Sequence, residues 1–326
     1  MIYKLPLTQR SSPKKHLAVV FPDTHIGYTA GVPAFDPCAL DVALQALEHY
    51  AADGATHFIH LGDLADMESC SHWASLRAEQ VFIEQDVRLT NAYLDEVDEI
   101  CDHYGLKKIF IEGNHETRTA RLEAKYPMIR DMVNLKKRLF GKRTGWTWVP
   151  NNHYYKLGKL YFTHGNLSGV SDSASMLRVA GKSVLFGHNH QHQVARHRTL
   201  DGLHVAMSSG CLASIDPPPP YSQAKIPATW AHGFTVVQFR ANGLFSLRFH
   251  EIIDAQYCEM MDGTEIRTNH SDAQWRLDRD QEIMDQCRNE YEERFYSVGG
   301  NVTETEPIKR TEYSSRTQRA RVTEGR

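Results

Sequence analysis

The chain has 326 residues, 41% of them hydrophobic and 24% charged, with a formal net charge of −3. That balance buries a sizeable core, and it excludes both a wholly disordered chain and a protein that coats nucleic acid through overall basicity. No run of 18 apolar residues is present, so no membrane span is expected, and six scattered cysteines without a CxxC pair exclude a thiolate zinc ribbon and fit reduced thiols in a cytoplasm.

Residues 1–15, MIYKLPLTQRSSPKK, read as an N-terminal segment without the apolar core of a secretory signal. The first strand is expected over His16–Phe21. Asp36-Pro37 then supplies a helix N-cap and a first-turn proline, and that helix runs to about Ala52 with Gly54 beyond its end. Thr56 to Leu61 reads as the second strand. Leu76 to His103 reads as a long helix with a stripe of Ile83, Val87, Leu94, Val97 and Cys101. Lys108 to Ile111 is the third strand, and Thr119 to Phe140 is a charged helical stretch broken at Pro127. Further strands are expected at Lys159–Thr163, Ser183–Phe186 and Leu203–Met207, with a helix from Ser171 to Ala180 stopped by Gly181. A hairpin joins Phe234–Phe239 to Phe245–His250 through Asn242-Gly243. Pro217 to Pro220 reads as a stiff loop. Ser271 to Phe295 forms a last amphipathic helix, and residues 309–326, with six basic and two acidic side chains, form a flexible basic tail. The organisation is therefore a mixed α/β domain over 16–255 with a helical insertion at about 117–150, followed by a C-terminal helix and tail over 256–326.

The chemistry follows the strands. After successive strands come Asp23-Thr24-His25, Gly62-Asp63-Leu64-Ala65-Asp66, Gly113-Asn114-His115-Glu116, His164-Gly165-Asn166 and Gly187-His188-Asn189-His190. The C-terminal edge of an open α/β sheet is where ligands bind. Asp23, Asp63, Asn114 and four of the histidines offer oxygen and nitrogen but no sulfur, which favours manganese, iron, zinc or nickel. Seven such groups exceed one tetrahedral zinc and suit two ions about 3.5–4 Å apart bridged by a shared carboxylate. Gly62, Gly113 and Gly187 would let the backbone turn and leave room for ions. Of the other thirteen histidines, His16, His57, His60, His204 and His250 read as structural, while His72, His192 and His232 are candidates to line a pocket.

The series DxH, GDxxD, GNHE, HG and GHxH resembles the calcineurin-like metallophosphoesterase family, in motifs from Asp23 to His190 and in strand order to about His250. The resemblance implies a two-sheet β-sandwich flanked by helices, a four-layer αββα arrangement, and a centre of two divalent ions, manganese first. It implies that Asp23, His25, Asp63 and His190 hold one ion and that Asp63, Asn114, His164 and His188 hold the other. His115 is similar to the family's catalytic histidine and Asp66 to the carboxylate that orients it, a hydrogen bond that would favour the imidazolium. The implied activity is phosphoester hydrolysis by a hydroxide bridging the two metals.

Departures from the family pattern narrow the substrate. Met67 stands where the protein phosphatases carry arginine, and the full GHxH resembles the diesterase and nuclease branches. Arg118 and Arg121 could serve instead as phosphate clamps, or mark an exposed helix start. Residues 136–148, KKRLFGKRTGWTW, interleave five basic side chains with Phe140, Trp146 and Trp148. That is either a surface for single-stranded nucleic acid or a solvated helix end followed by two core tryptophans. In both cases the insertion is expected to wall or cap the metals. Trp230 to Phe234, W-x-H-G-F, resembles family members found in phage and bacterial genomes. The expectation is a cytoplasmic phosphodiesterase acting on DNA, RNA or nucleotides. The alternatives are a phosphomonoesterase and, with ligands lost, a non-catalytic scaffold.

Overall fold

β-Branched and aromatic runs buried on both faces build two stacked sheets. The computed structural model describes residues 16–29, 31–71, 83–167, 169, 171–216 and 229–298. The expectations for residues 1–15, His72, 76–82, 217–220 and the tail lie outside the described residues. The first sheet contains, in chain order, β1 (His16–Phe21), then, past a small hairpin of β2 (Tyr28–Thr29) and β3 (Val32–Pro33) and helix α1 (Pro37–Ala52), strand β4 (His57–His60). Helix α2 (Ile83–Tyr104) leads to β5 (Lys107–Ile111). Three short helices, α3 (Thr117–Lys125), α4 (Arg130–Val133) and α5 (Leu135–Phe140), lead to β6 (Trp146–Val149). The second sheet takes β7 (Tyr155–Leu157), β8 (Leu160–Thr163), then, after α6 (Asp172–Ala180), β9 (Val184–Phe186), β10 (Val194–Thr199) and β11 (Gly202–Ser208). The chain returns to the first sheet with the hairpin β12 (Gly233–Phe239) and β13 (Phe245–Glu251). It ends on a small ribbon, β14 (Tyr257–Glu259) with β15 (Glu265–Arg267), and helix α7 (His270–Val298).

The first sheet runs β13-β12-β1-β4-β5-β6 and the second β10-β11-β9-β8-β7. Their centres, β1-β4-β5-β6 and β8-β9-β11, are parallel, and the other strands join antiparallel. Side chains alternate between faces. In β1, Ala18 and Val20 enter the core between the sheets, where they join Ile59, Ile111, Phe162 and Leu185. Val19 and Phe21 point the other way, into the core shared with Leu40, Leu44 and Leu47 of α1 and Leu94 and Val97 of α2. On the outer face of the second sheet, Met176 and Leu177 of α6 cover Val184, Phe186 and Ala206. The order helix, sheet, sheet, helix is the expected four-layer sandwich.

Local signals held where they rest on backbone chemistry. Asp36 caps α1 by accepting from Cys38 N and Ala39 N at 3.0 and 2.9 Å, and Gly181 ends α6 at φ +61°. The break at Pro127 is a 3-10 turn between α3 and α4. The chain divides into two compact units, Met1–Cys287 and Arg288–Arg326. The first holds both sheets, and the described part of the second is the end of α7. All six cysteines are free thiols, and no described helix is long and apolar enough to cross a membrane.

Candidate metal centre

The parallel strands β1, β4, β5, β8 and β9 deliver their following loops to one place. Thr24 N and His25 N both donate to Asp63 O, at 3.1 and 3.0 Å, which ties the first loop to the second. His60, buried on β4, sits behind this joint: its Nδ1 accepts from Gly62 N at 3.2 Å and its Nε2 lies 3.0 Å from Thr24 Oγ1. His25, Asp63, His188 and His190 all have left-handed φ, between +48° and +74°. Such backbone costs on the order of 1–3 kcal/mol per residue, and here it turns each side chain into the cluster. A Cβ on Gly113 would fall 2.2 Å from Asp63 Oδ1, and one on Gly187 2.4 Å from Asp23 Oδ2. These glycines therefore leave room for the two carboxylates, not directly for ions.

The side chains converge in three groups linked through His25 and Asp63. Asp23, His25 and His190 form one, and Asp63, His164 and His188 another, while Asp63 also faces His25 and His115. His25 Nε2 lies 3.1 Å from His190 Nε2, and His190 Nε2 3.7 Å from Asp23 Oδ1. In the second group His164 Nε2 is 3.4 Å from Asp63 Oδ2 and 3.3 Å from His188 Nδ1. Asn114 Oδ1 lies 2.9 and 2.8 Å from those same two nitrogens. Atoms bound to one ion at roughly 2.0–2.2 Å stand about 3–3.5 Å apart, so these lone-pair donors fit divalent cations. His164 Nδ1 is anchored on Leu61 O and His25 Nδ1 on Asp66 Oδ1, each at 3.0 Å, which aims both Nε2 atoms inward.

Electrostatics keeps most of the donors available. Burial, reinforced by the charge of His164, lowers the His188 pKa to about 4. Burial and His25 likewise push His190 well below the usual histidine range. His164 is the exception: burial opposes its charge, but Asp63 and Asp23 raise it to about 9. Burial raises Asp23 to about 6, against the pull of His164. Burial works the same way on Asp63, yet His164 and His115 hold it well below the usual carboxylate range.

His115 stands at the rim. Its Nε2 lies 3.8 Å from Asp63 Oδ2 and 3.0 Å from Arg118 Nη2, and its Nδ1 is 2.7 Å from the Asp66 carbonyl oxygen and 3.3 Å from Asp66 Oδ1. A guanidinium can only donate. In its neutral form His115 Nε2 accepts from Arg118 while Nδ1–H donates to the Asp66 carbonyl, and the neighbouring carboxylates favour the imidazolium, as the sequence led one to expect. Burial lowers its pKa, yet Asp63 and Asp66 outweigh burial and Arg118, and the net shift is upward. The Asp66 carboxylate lies nearer His25 than His115, so Asp66 meets one histidine through its side chain and the other mainly through its main chain. Arg118 also donates to Asp66 O at 2.8 Å and faces Glu68 at 3.6 Å. Arg121 is exposed one turn further along α3. His192 and His232 are engaged elsewhere, His192 stacked on Phe249 at 4.0 Å and His232 with Nε2 2.8 Å from Ala213 O.

Glu116 is the residue whose role sequence reading missed. Its buried carboxylate accepts from four backbone N–H groups: Asp63 at 3.1, Leu64 at 2.8, Ala65 at 3.0 and Gly113 at 2.8 Å. The basic insertion also differs from its nucleic-acid reading. Phe140, Trp146 and Trp148 pack on one another and on Phe110 and Phe58. Arg138 pairs with Glu84, Arg143 with Asp98 at 2.5 and Asp95 at 2.6 Å, and Lys137 with Asp131 at 3.2 Å. Lys136 lies over Trp148 at 5.6 Å. Lys137, Arg138, Lys142 and Arg143 line a groove against α2 that contains none of the clustered Asp and His residues.

The family model for calcineurin-like phosphoesterases matches residues 17–215. The chain belongs to that family, whose members are metal-dependent phosphoesterases. No curated protein matches. Among solved structures, the NAD nucleotidase of Haemophilus influenzae is similar at 10% identity and a TM-score of 0.38, covering 86% of this chain and 60% of its own. Vps29 of Chaetomium thermophilum is similar at 12% identity and a TM-score of 0.35, covering 77% of this chain and 94% of its own. This chain thus spans less than two thirds of the nucleotidase.

Proposed function

We propose that this chain is a two-metal phosphodiesterase that acts on nucleotides and other small diesters ahead of long polynucleotides. The carrying observation is the set of Asp/His groups linked through His25 and Asp63, with the His115 imidazole at their rim. Asp23, His25, Asp63 and His190 would hold one ion, and Asp63, Asn114, His164 and His188 the other. Manganese is the expected metal for this oxygen and nitrogen set, with iron, zinc or nickel as alternatives. When bound, two such ions would neutralise phosphoryl oxygens and provide a nucleophilic water near neutral pH. Once Arg118 leaves Nε2, His115 can take up a proton there, which its upward pKa shift favours, and as an imidazolium held by the Asp66 carbonyl it would pass that proton to the leaving oxygen. Arg118 can turn from that nitrogen to a phosphate oxygen. The full GHxH and Met67 support the diester over the monoester. The pairing of Lys137, Arg138 and Arg143 with carboxylates supports a small substrate over DNA or RNA. Six free thiols support a reducing, cytoplasmic setting.

The test assays the Mn²⁺-loaded full chain on bis-p-nitrophenyl phosphate, p-nitrophenyl phosphate, a dinucleotide and single-stranded DNA. The diester should outpace the monoester, and the dinucleotide should be cleaved at least as fast per bond as DNA. His115→Ala should keep both ions and lose about 10²–10⁴-fold on the dinucleotide, with a smaller loss when p-nitrophenolate leaves. Faster monoester hydrolysis would make the protein a monoesterase. Faster DNA cleavage would restore the nuclease reading, and two bound ions with no turnover would leave a scaffold.

A further inference from the structure

We propose that Trp230 is a positioning residue that fixes the angle at which His190 meets its metal; the inference rests on the two-ion reading above. A metal-binding imidazole is ordinarily oriented by a hydrogen bond from its second ring nitrogen. His164 and His25 follow that rule through Leu61 O and Asp66 Oδ1. His190 does not. Its Nε2 faces His25 and Asp23, while its Nδ1 is buried and has no hydrogen-bond partner among the described residues.

The neighbours that hold the His190 ring are aromatic. The Trp230 ring lies 4.1 Å away at 70°, and His25 lies 5.0 Å away at 73° on the cluster side. Trp230 is itself placed by main chain: it forms a bridge with Gln191, Ala231 N donates to His190 O at 3.0 Å, and Cys211 N donates to Ala231 O at 2.9 Å. The indole and the imidazole therefore ride on one backbone pairing, 40 residues apart in sequence. Rotation about the last side-chain bond of histidine is soft. Without the indole wall, no hydrogen bond at Nδ1 from the described residues restores the His190 angle. The loss should fall on the position formed by Asp23, His25 and His190. The other position keeps His164 anchored on Leu61 and Asn114 between its two histidines.

The experiment titrates the metal-free full chain with Mn²⁺, by calorimetry and by the electron spin resonance of free Mn²⁺, for the parent, Trp230→Phe and Trp230→Ala. The parent should take two ions. Trp230→Ala should bind one as before and the other about 10–100-fold more weakly, the usual effect of removing a group that orients a ligand. Trp230→Phe, which keeps a flat ring, should lose less. If the alanine variant fails to melt cooperatively, Trp230→Leu replaces it, with the same selective loss expected. Equal weakening of both ions, or two ions bound with parental affinities, overturns the proposal. A parent that does not take two ions overturns the reading beneath it instead, and the parental titration alone distinguishes the two failures.

Discussion

Glu116 joins the second and third loops with one carboxylate, and its chemistry sets what a substitution does. Oε2 accepts from Asp63 N and Gly113 N, and Oε1 from Leu64 N and Ala65 N. Glu116→Gln replaces one oxygen by an NH₂ that cannot accept, so two buried N–H groups lose their partner. At about 1–3 kcal/mol for each unsatisfied group, the variant should lose roughly 2–6 kcal/mol in denaturant unfolding. Because those N–H groups hold the left-handed Asp63, Mn²⁺ binding should weaken as well. Parental unfolding together with parental Mn²⁺ binding would mean that the cradle contributes nothing. Sequence reading reached Asp23, Asp63 and the GHxH histidines because each follows an apolar strand run. It did not reach Glu116, whose partners are main-chain groups that leave no side-chain signature. Nor did it reach the dual use of Asp66, since a carbonyl contact is independent of residue type, or the left-handed φ of four non-glycine residues.

At the scale of elements, legibility followed burial. Strands β1, β4, β5 and β9 are buried on both faces and read as near-continuous apolar runs. Edge strand β10, Val194–Thr199, carries two arginines and a histidine and is mostly exposed, so it has no hydrophobic pattern to read. Strand β6 is hidden in the sequence because Trp146 and Trp148 fit a stacking surface or a core as well as they fit an edge strand beside β5. The same segment now yields a prediction. If residues 136–143 gripped a polynucleotide, neutralising Lys136, Lys137, Arg138, Lys142 and Arg143 would reduce the log–log salt slope by roughly 3.5–4.5. The engagement of Lys136, Lys137, Arg138 and Arg143 with Trp148, Asp131, Glu84, Asp95 and Asp98 predicts instead a slope change below about 1 on that scale, with thermal stability lowered because Asp98 loses one of its two cations and keeps only Lys108. Salt-dependent binding of single-stranded DNA to parent and variant decides between the two. A large flattening of the slope would return the insertion to the substrate surface.

Across the whole molecule, the family match ends at residue 215, yet the first sheet is completed by β12 and β13, and α7 then returns to the helices that cover it. Asp41 of α1 is fully buried. It accepts from Arg276 Nη1 at 2.7 Å, from Asn269 N at 2.6 Å and from Gln45 Nε2 at 2.7 Å. Arg276 Nε also reaches Glu96 Oε2 of α2 at 2.8 Å, and Arg279 Nη1 reaches Glu96 Oε1 at 2.6 Å. The first turns of α7 thus lock α1 to α2 through charges held out of water. Removing one member of such a network leaves its partner charged and buried, which costs roughly 3–5 kcal/mol, whereas replacing both partners with neutral groups costs much less. Arg276→Ala should therefore lower the unfolding free energy by about that amount, and pairing Arg276→Met with Asp41→Asn should recover a large part of it. None of these residues belongs to the Asp/His groups, so Mn²⁺ stoichiometry and turnover of a small diester, measured well below the melting temperature, should match the parent. An unchanged melting midpoint in Arg276→Ala would make the network a passive surface feature. A lost ion in that variant would instead mean that α7 reaches the metal centre through α1 and the Tyr28–Asp280 hydrogen bond, since Tyr28 lies three residues beyond His25.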